Sequence, residues 1–139
     1  LTYLSQHILH CLLVCVCNDG HLYRSSCWNG CFTLSDVLIL LDGHVRINPS
    51  IIKEGYTPAR GEANYLSLYD IVITFVDVAA SRYPVHLQHL LYLLRNADNQ
   101  LRVKPEFVIF LINHSCLLTY AEKRKLYDVV DKFFWNPTG

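Results

Sequence analysis

The sequence predicts a mainly helical unit carrying one small β-hairpin at residues 37–47. Three observations carry that expectation. Apolar side chains recur every three or four positions through residues 3–17 and 85–95, which is helical periodicity. An Asp42-Gly43 pair separates two short apolar runs, VLILL and HVRI, the sequence signature of a tight hairpin. The 139 residues are 52% hydrophobic and 17% charged, which suits one packed core and argues against disorder.

The elements follow in order. Leu4, Ile8, Cys11, Leu12 and Cys15 mark a helix over residues 3–17, and Asn18-Asp19-Gly20 supplies its stop, because glycine tolerates the left-handed conformation that ends helices. Residues 21–35 are polar and irregular. The hairpin comes next, with a two-residue type I′ turn at Asp42-Gly43, and Pro49 ends its pairing because it lacks an N–H. Residues 50–64, punctuated by Gly55, Pro58 and Gly61, read as a loop. From Tyr65 to about Ala80 the chain is nearly all apolar, interrupted by Asp70 and Asp77, and too long for a strand, so it predicts a buried helix. Pro84 breaks it. A helix over 85–95 puts Leu87, Leu90, Leu91 and Leu94 on one face, and Pro105 starts a short apolar helix over 105–113. Thr119 caps a last helix at about 121–134, with Glu122 placed for a capping box. Trp28 and Trp135 read as packing residues, and His86 and His89 as part of one exposed face.

Twelve basic and twelve acidic side chains cancel, leaving no global field to attract nucleic acid or anionic lipid. The basic residues of the last third (Arg95, Arg102, Lys104, Lys123, Arg124, Lys125, Lys132) are interleaved with Asp98, Glu106, Glu122, Asp128 and Asp131, the pattern of a solvated helical face. No apolar run approaches the roughly 18 residues needed to span a bilayer, and the first residues lack a signal peptide's basic lead-in and cleavage site, so no membrane association is expected. The absence of methionine predicts a piece of a longer or edited polypeptide. Six cysteines form no C-x-x-C pair, and His7, Cys11 and Cys15 on one helix face are poor geometry for tetrahedral zinc. Reduced, buried thiols and a cytoplasmic location are expected. A nucleophile at Cys27 or Cys31 has no local signature to support it.

A helix, an irregular loop, a hairpin, a second loop and then several helices is the order of a protein-kinase C-terminal lobe, and the hairpin carries the resemblance. Kinases often read N-V-L-L-x-x-D-G-H-V-K-L-x-D-F-G there. This chain reads D-V-L-I-L-L-D-G-H-V-R-I-N-P-S-I from Asp36 to Ile51, without a gap. Asp42, Gly43 and His44 keep the turn. On this alignment the family's metal-binding Asn falls on Asp36, the catalytic-loop His-Arg-Asp on Asn29-Gly30-Cys31, its Lys on Thr33, and Asp-Phe-Gly on Pro49-Ser50-Ile51. SLYDIVITF resembles the buried kinase helix written D-[IV]-[WYF]-S-[LF]-G, which implies that Asp70 ties down the backbone of the catalytic loop. DNQLR, Asp98 to Arg102, keeps the spacing of D-P-x-x-R, which implies that Arg102 pairs with an acid before the buried helix, with Glu54 and Glu62 as candidates.

The end of the chain, INHSCLLTYAEKRKLYDVVDKF, resembles the junction at which the inositol-requiring kinase/ribonuclease of the unfolded-protein response and RNase L pass into their KEN ribonuclease domain. His114, Glu122-Lys123-Arg124, Leu126 and residues 128–132 occupy comparable places, and Ser115 replaces a Pro. The resemblance implies a kinase-like C-lobe in residues 1–113, lacking the N-lobe, and a truncated KEN-like junction with a helical extension in residues 114–139.

Phosphoryl transfer needs one carboxylate to orient the hydroxyl and another to hold magnesium. Cys31 and Pro49 can do neither, and Asp36 alone is at most a residual metal contact. The expectation is therefore a pseudokinase lobe without catalysis or cofactor, serving as an interaction scaffold or surviving as a relic. The alternative is the regulatory segment of an active serine/threonine kinase/endoribonuclease. A lone lobe bares the face its missing partner would cover, which predicts a protein partner or self-association through the hairpin and residues 21–35.

Overall fold

The computed structural model describes residues 3–29, 31–75 and 85–117. It is mainly helical. Helix α1, Tyr3–Leu13, runs directly into a π-helical segment, Val14–Tyr23. The predicted stop at Asn18-Asp19-Gly20 is thus overturned, and burial explains why. Ile8, Leu9, Leu12, Leu13, Val16, Cys17, Gly20 and His21 are buried, in pairs that recur every four residues. Four residues overshoot an α-turn of about 3.6 and fall short of the wider i→i+5 turn. The α part drifts the apolar stripe one way and the π part drifts it back, so one face stays inward for five turns' worth of chain. Gly20 serves close packing, not termination: a Cβ there would lie 3.0 Å from the Trp28 ring and 3.2 Å from the Cys15 carbonyl oxygen. Leu4, expected on the apolar face, is 60% exposed.

Residues 21–35 and 50–64 are not simply loops. Strand β1, Ser26–Trp28, pairs antiparallel with strand β4, Lys53–Gly55, in the register Ser26↔Gly55 and Trp28↔Lys53. Neither three-residue strand alternates clearly enough to be read in advance. Between them, strands β2, Val37–Ile39, and β3, Val45–Ile47, form the expected hairpin with Val37 opposite Ile47. Its turn differs from the prediction. Leu40 N–H donates to His44 O at 2.8 Å and Gly43 N–H to Leu40 O at 2.9 Å, leaving a three-residue loop in which Gly43 (φ +88°) takes the left-handed conformation. Asp42 stays at negative φ, which a type I′ turn would forbid. Its carboxylate accepts the His44 N–H and faces the His44 ring at 2.8 Å.

Helix α2, Pro58–Thr74, starts seven residues before the predicted Tyr65. Thr57 Oγ1 accepts the Arg60 N–H at 3.2 Å and Pro58 opens the first turn, a cap-plus-proline start legible in the sequence. Helix α3, Val85–Asn96, buries Leu87, Leu90, Leu91 and Leu94 as predicted. Helix α4, Asn99–Arg102, is capped by Asp98, and helix α5, Pro105–Ile112, begins at its proline. A 3₁₀ turn, Ser115–Leu117, follows. His114, Cys116 and Leu117 are buried, with Cys116 O accepting from Gln6 Nε2 on α1 at 3.1 Å, so these first residues of the 114–139 segment join the same core. Asp77, Pro84, Thr119, Trp135, the predicted helix at 121–134 with Glu122, and Gly30 lie outside the described residues. No helix among the described residues is long and apolar enough to cross a membrane.

Candidate functional site

The two strand pairs bracket the positions onto which the kinase resemblance would place phosphotransfer groups. Asn29 N–H donates to Ile52 O at 2.8 Å and its side-chain amide to Glu54 Oε1 at 3.0 Å. Cys31 and Thr33 are exposed. Asp36 closes the 3₁₀ turn Leu34–Asp36: its Oδ2 accepts from Thr33 N–H at 2.8 Å and Thr33 Oγ1 at 3.3 Å. Across the hairpin, Asn48 N–H donates to Asp36 O at 2.7 Å, which sets Pro49-Ser50-Ile51 beside this turn. Asn48 then organises that segment, its Oδ1 and backbone O accepting from Ser50 N–H and Ile51 N–H at 3.0 Å each. Asp36 is the one carboxylate among these aligned positions, and its oxygen is occupied locally.

Asp70 does not tie the loop. It is exposed, and its recorded hydrogen bond is made by its backbone oxygen, which accepts from Thr74 Oγ1. Asn64, wholly buried nearly two turns earlier on α2, instead ties down the end of β1. Its Oδ1 accepts the Trp28 N–H and its Nδ2 donates to Trp28 O, both at 3.0 Å. Ser67 Oγ, one turn on, accepts the Phe32 N–H at 3.3 Å. The readable signal was the polar pair Asn64/Ser67 at i, i+3 among apolar residues, a stripe that only a buried helix would need to satisfy.

His21 completes this buried group. Asn64 Oδ1 is an acceptor, so His21 Nε2, 3.0 Å away, carries the hydrogen, and Nδ1 is left buried without a partner. The ring packs between Tyr56 and Tyr65. Burial, opposed by the Asn64 hydrogen bond and joined by the Arg102 charge, holds the imidazole pKa below its usual value. Tyr65 Oη lies against the Cys17 thiol without a sound hydrogen bond, and burial pushes that thiol up to about 12. A depressed histidine binds fewer protons folded than unfolded, so its contribution to stability is complete above about pH 6.5 and is lost as pH falls toward the folded pKa. Urea titrations between pH 7.5 and 5 are expected to show stability falling with pH, and His21→Gln is expected to flatten that slope.

Arg102 is buried, and no acid among the described residues holds it, contrary to the pairing the resemblance implied. Its guanidinium donates to Ala97 O at 2.5 Å, Pro58 O at 3.2 Å and Tyr56 Oη at 3.3 Å, and faces the Tyr65 ring. Of the two candidate acids, Glu54 pairs with Arg60, and Glu62 is exposed.

A cleft of about 830 Å³ opens between the π segment and the β3–β4 region. Val14, Trp28, Val45, Ile47, Ile51 and Ile52 supply its apolar lining, and Arg24, Arg46 and Lys53 its cations. Lys53 Nζ sits 4.8 Å from the centre of the Trp28 ring. Cys11 and Cys15 also line it; burial raises both thiols, while the Lys53 and Arg46 charges act on Cys15 in the opposite direction. All six cysteines are free thiols, of which Cys17, Cys27 and Cys116 are buried. Among the described residues no group of three or more His, Cys, Asp or Glu is placed to hold a metal ion. His86 and His89 are exposed as predicted, yet both engage the following turn, through Ser115 Oγ and His114 Nε2, each at 2.8 Å.

No protein-family profile, no curated protein and no solved structure matches this chain.

Proposed function

We propose that the chain is a non-catalytic, kinase-like lobe that works through protein contacts. The observation that carries this reading is the pairing of Asp36 with Asn48 across the hairpin, which brings the aligned loop and the Pro49-Ser50-Ile51 segment together with a single carboxylate between them. Metal-assisted transfer from ATP requires more oxygen ligands than that. The Asn64 tether adds support. Asn64-Tyr65-Leu66-Ser67-Leu68 fits the spacing D-x-x-S-[LF] six residues before the Asp70 register, with the acid replaced by its amide.

Leu38, Ile39 and Leu41 on the hairpin, Ile52 beside it, and Tyr23 at the end of the π segment are all exposed. Among the described residues both sheets have two strands, and each strand has an open edge there. An apolar, open-edged surface of this kind suits a protein partner or a second copy.

The expected result with Mg-ATP is no shift of the thermal transition and no transfer of radiolabelled phosphate, in the native chain and in Asp36→Ala alike. Labelling that Asp36→Ala abolishes would overturn the non-catalytic reading. Sedimentation over a concentration series is expected to show association that Ile39→Ser/Leu41→Ser weakens. A monomer at every concentration would remove self-association and leave a heterologous partner.

A further inference from the structure

We propose that the cleft between the π segment and strands β3 and β4 is a binding site for a small organic anion with a flat apolar body. This inference is independent of the kinase-like reading. The cleft is the size of a pocket for a drug-sized or cofactor-sized molecule, which runs from about 300 to 1,000 Å³. Its charges are lopsided. Arg24, Arg46 and Lys53 face one carboxylate, Asp19, whose Oδ1 already accepts from Asn18 Nδ2.

None of the three cations has a carboxylate partner among the described residues, where the ion pairs are His44–Asp42 and Arg60–Glu54. Like charges gathered in a concave, partly apolar wall concentrate positive potential there, although the chain as a whole carries no net charge. The charges also reach the interior of the cleft, since Lys53 and Arg46 both act on the Cys15 thiol. The walls supply the other half of the specificity. Lys53 covers one face of Trp28, and the Val, Ile and Pro49 side chains add to the apolar lining. A planar body would lie among these, with its anionic group toward the two arginines and Lys53, where bidentate guanidinium contacts suit phosphate, sulfonate or carboxylate.

The π segment helps form this site. Val14, Cys15, Asp19 and Gly20 line the cleft from this segment, with Cys11 from the end of α1. Wide turns of this type are rare and concentrate at functional sites.

The probe is 8-anilinonaphthalene-1-sulfonate, a planar aromatic anion, titrated into the full chain carrying Trp135→Phe so that Trp28 alone reports energy transfer. One saturable site per chain is expected. The neutral analogue N-phenyl-1-naphthylamine should bind about ten-fold more weakly, as loss of a charge-assisted contact implies. Arg46→Ala/Lys53→Ala should weaken the sulfonate by a similar factor, whereas Arg95→Ala/Lys104→Ala, outside the cleft lining, should not. Should the cleft variant fold poorly, sodium chloride in the native chain is the second measurement, and affinity must fall as salt rises. Competition by phenyl phosphate against benzoate then separates a phosphate-bearing ligand from a carboxylate. Equal binding of the neutral probe, or an affinity untouched by both salt and the cleft variant, would overturn the proposal and mark a plain apolar patch.

Discussion

Asn64→Leu is expected to cost about 3–5 kcal/mol of unfolding free energy, the largest loss from any single polar residue among those described. The substitution keeps the branched skeleton with somewhat more bulk and removes three hydrogen bonds at once. It strands the Trp28 N–H, the Trp28 carbonyl and the His21 Nε2–H, all in places water does not reach. Each buried orphan costs roughly 1–3 kcal/mol, and in a domain this size a loss of several kcal/mol lowers the thermal midpoint by more than about 10 °C. Asp70→Leu is the matched control. Because Thr74 uses the Asp70 backbone oxygen and not its carboxylate, that variant is expected to unfold as the native chain does. Asn64→Asp should recover part of the loss, since one oxygen can still accept from Trp28 N–H and His21. It should also move the acid limb of stability, because a carboxylate against Nε2 favours the protonated imidazole. Equal urea midpoints for Asn64→Leu and Asp70→Leu would show that the tether is misassigned.

Arg102→Ala is expected to cost about 3 kcal/mol, through two orphaned carbonyls and the cavity left by a guanidinium that is only 4% exposed. Arg102→Lys should restore little of it. An ammonium is a point donor, and it cannot span Ala97 O, Pro58 O and Tyr56 Oη, which three different guanidinium nitrogens reach. The partner question has a direct answer from double-mutant cycles. Coupling between Arg102 and Glu54, or Arg102 and Glu62, should be near zero, whereas coupling between Arg102 and Tyr56 (as Tyr56→Phe) should be measurable. A large coupling to either glutamate would restore the acid-held arginine. The arrangement makes sense of Tyr56 as well: its hydroxyl donates to Asn99 Oδ1 and accepts from Arg102, so one phenol joins the strand before α2 to the start of α4.

Much of the architecture was legible along the chain. The leucine stripe at 87, 90, 91 and 94 names its own buried face, because four branched apolar side chains at helical spacing have no other stable arrangement. The hairpin was legible from its two apolar runs, although the turn within it was not. Asp-Gly serves a three-residue loop as well as a two-residue one, and the choice depends on which cross-strand pair closes last, Leu40 with His44. The segment 26–28 could not be read as a strand, since three residues carry too little alternation and its partner at 53–55 lies far along the sequence.

What the sequence determined by itself is local: the helical character, the hairpin and the proline-started helices. What the tertiary structure decided is which polar side chain meets which backbone. Asn64 rather than Asp70 holds the end of β1, Arg102 rests on neutral oxygens, and three cations from separate segments line one cleft. The physical reason is that propensity and periodicity act over a few residues, whereas the pairing of a buried polar group is imposed by whatever distant segment arrives without water.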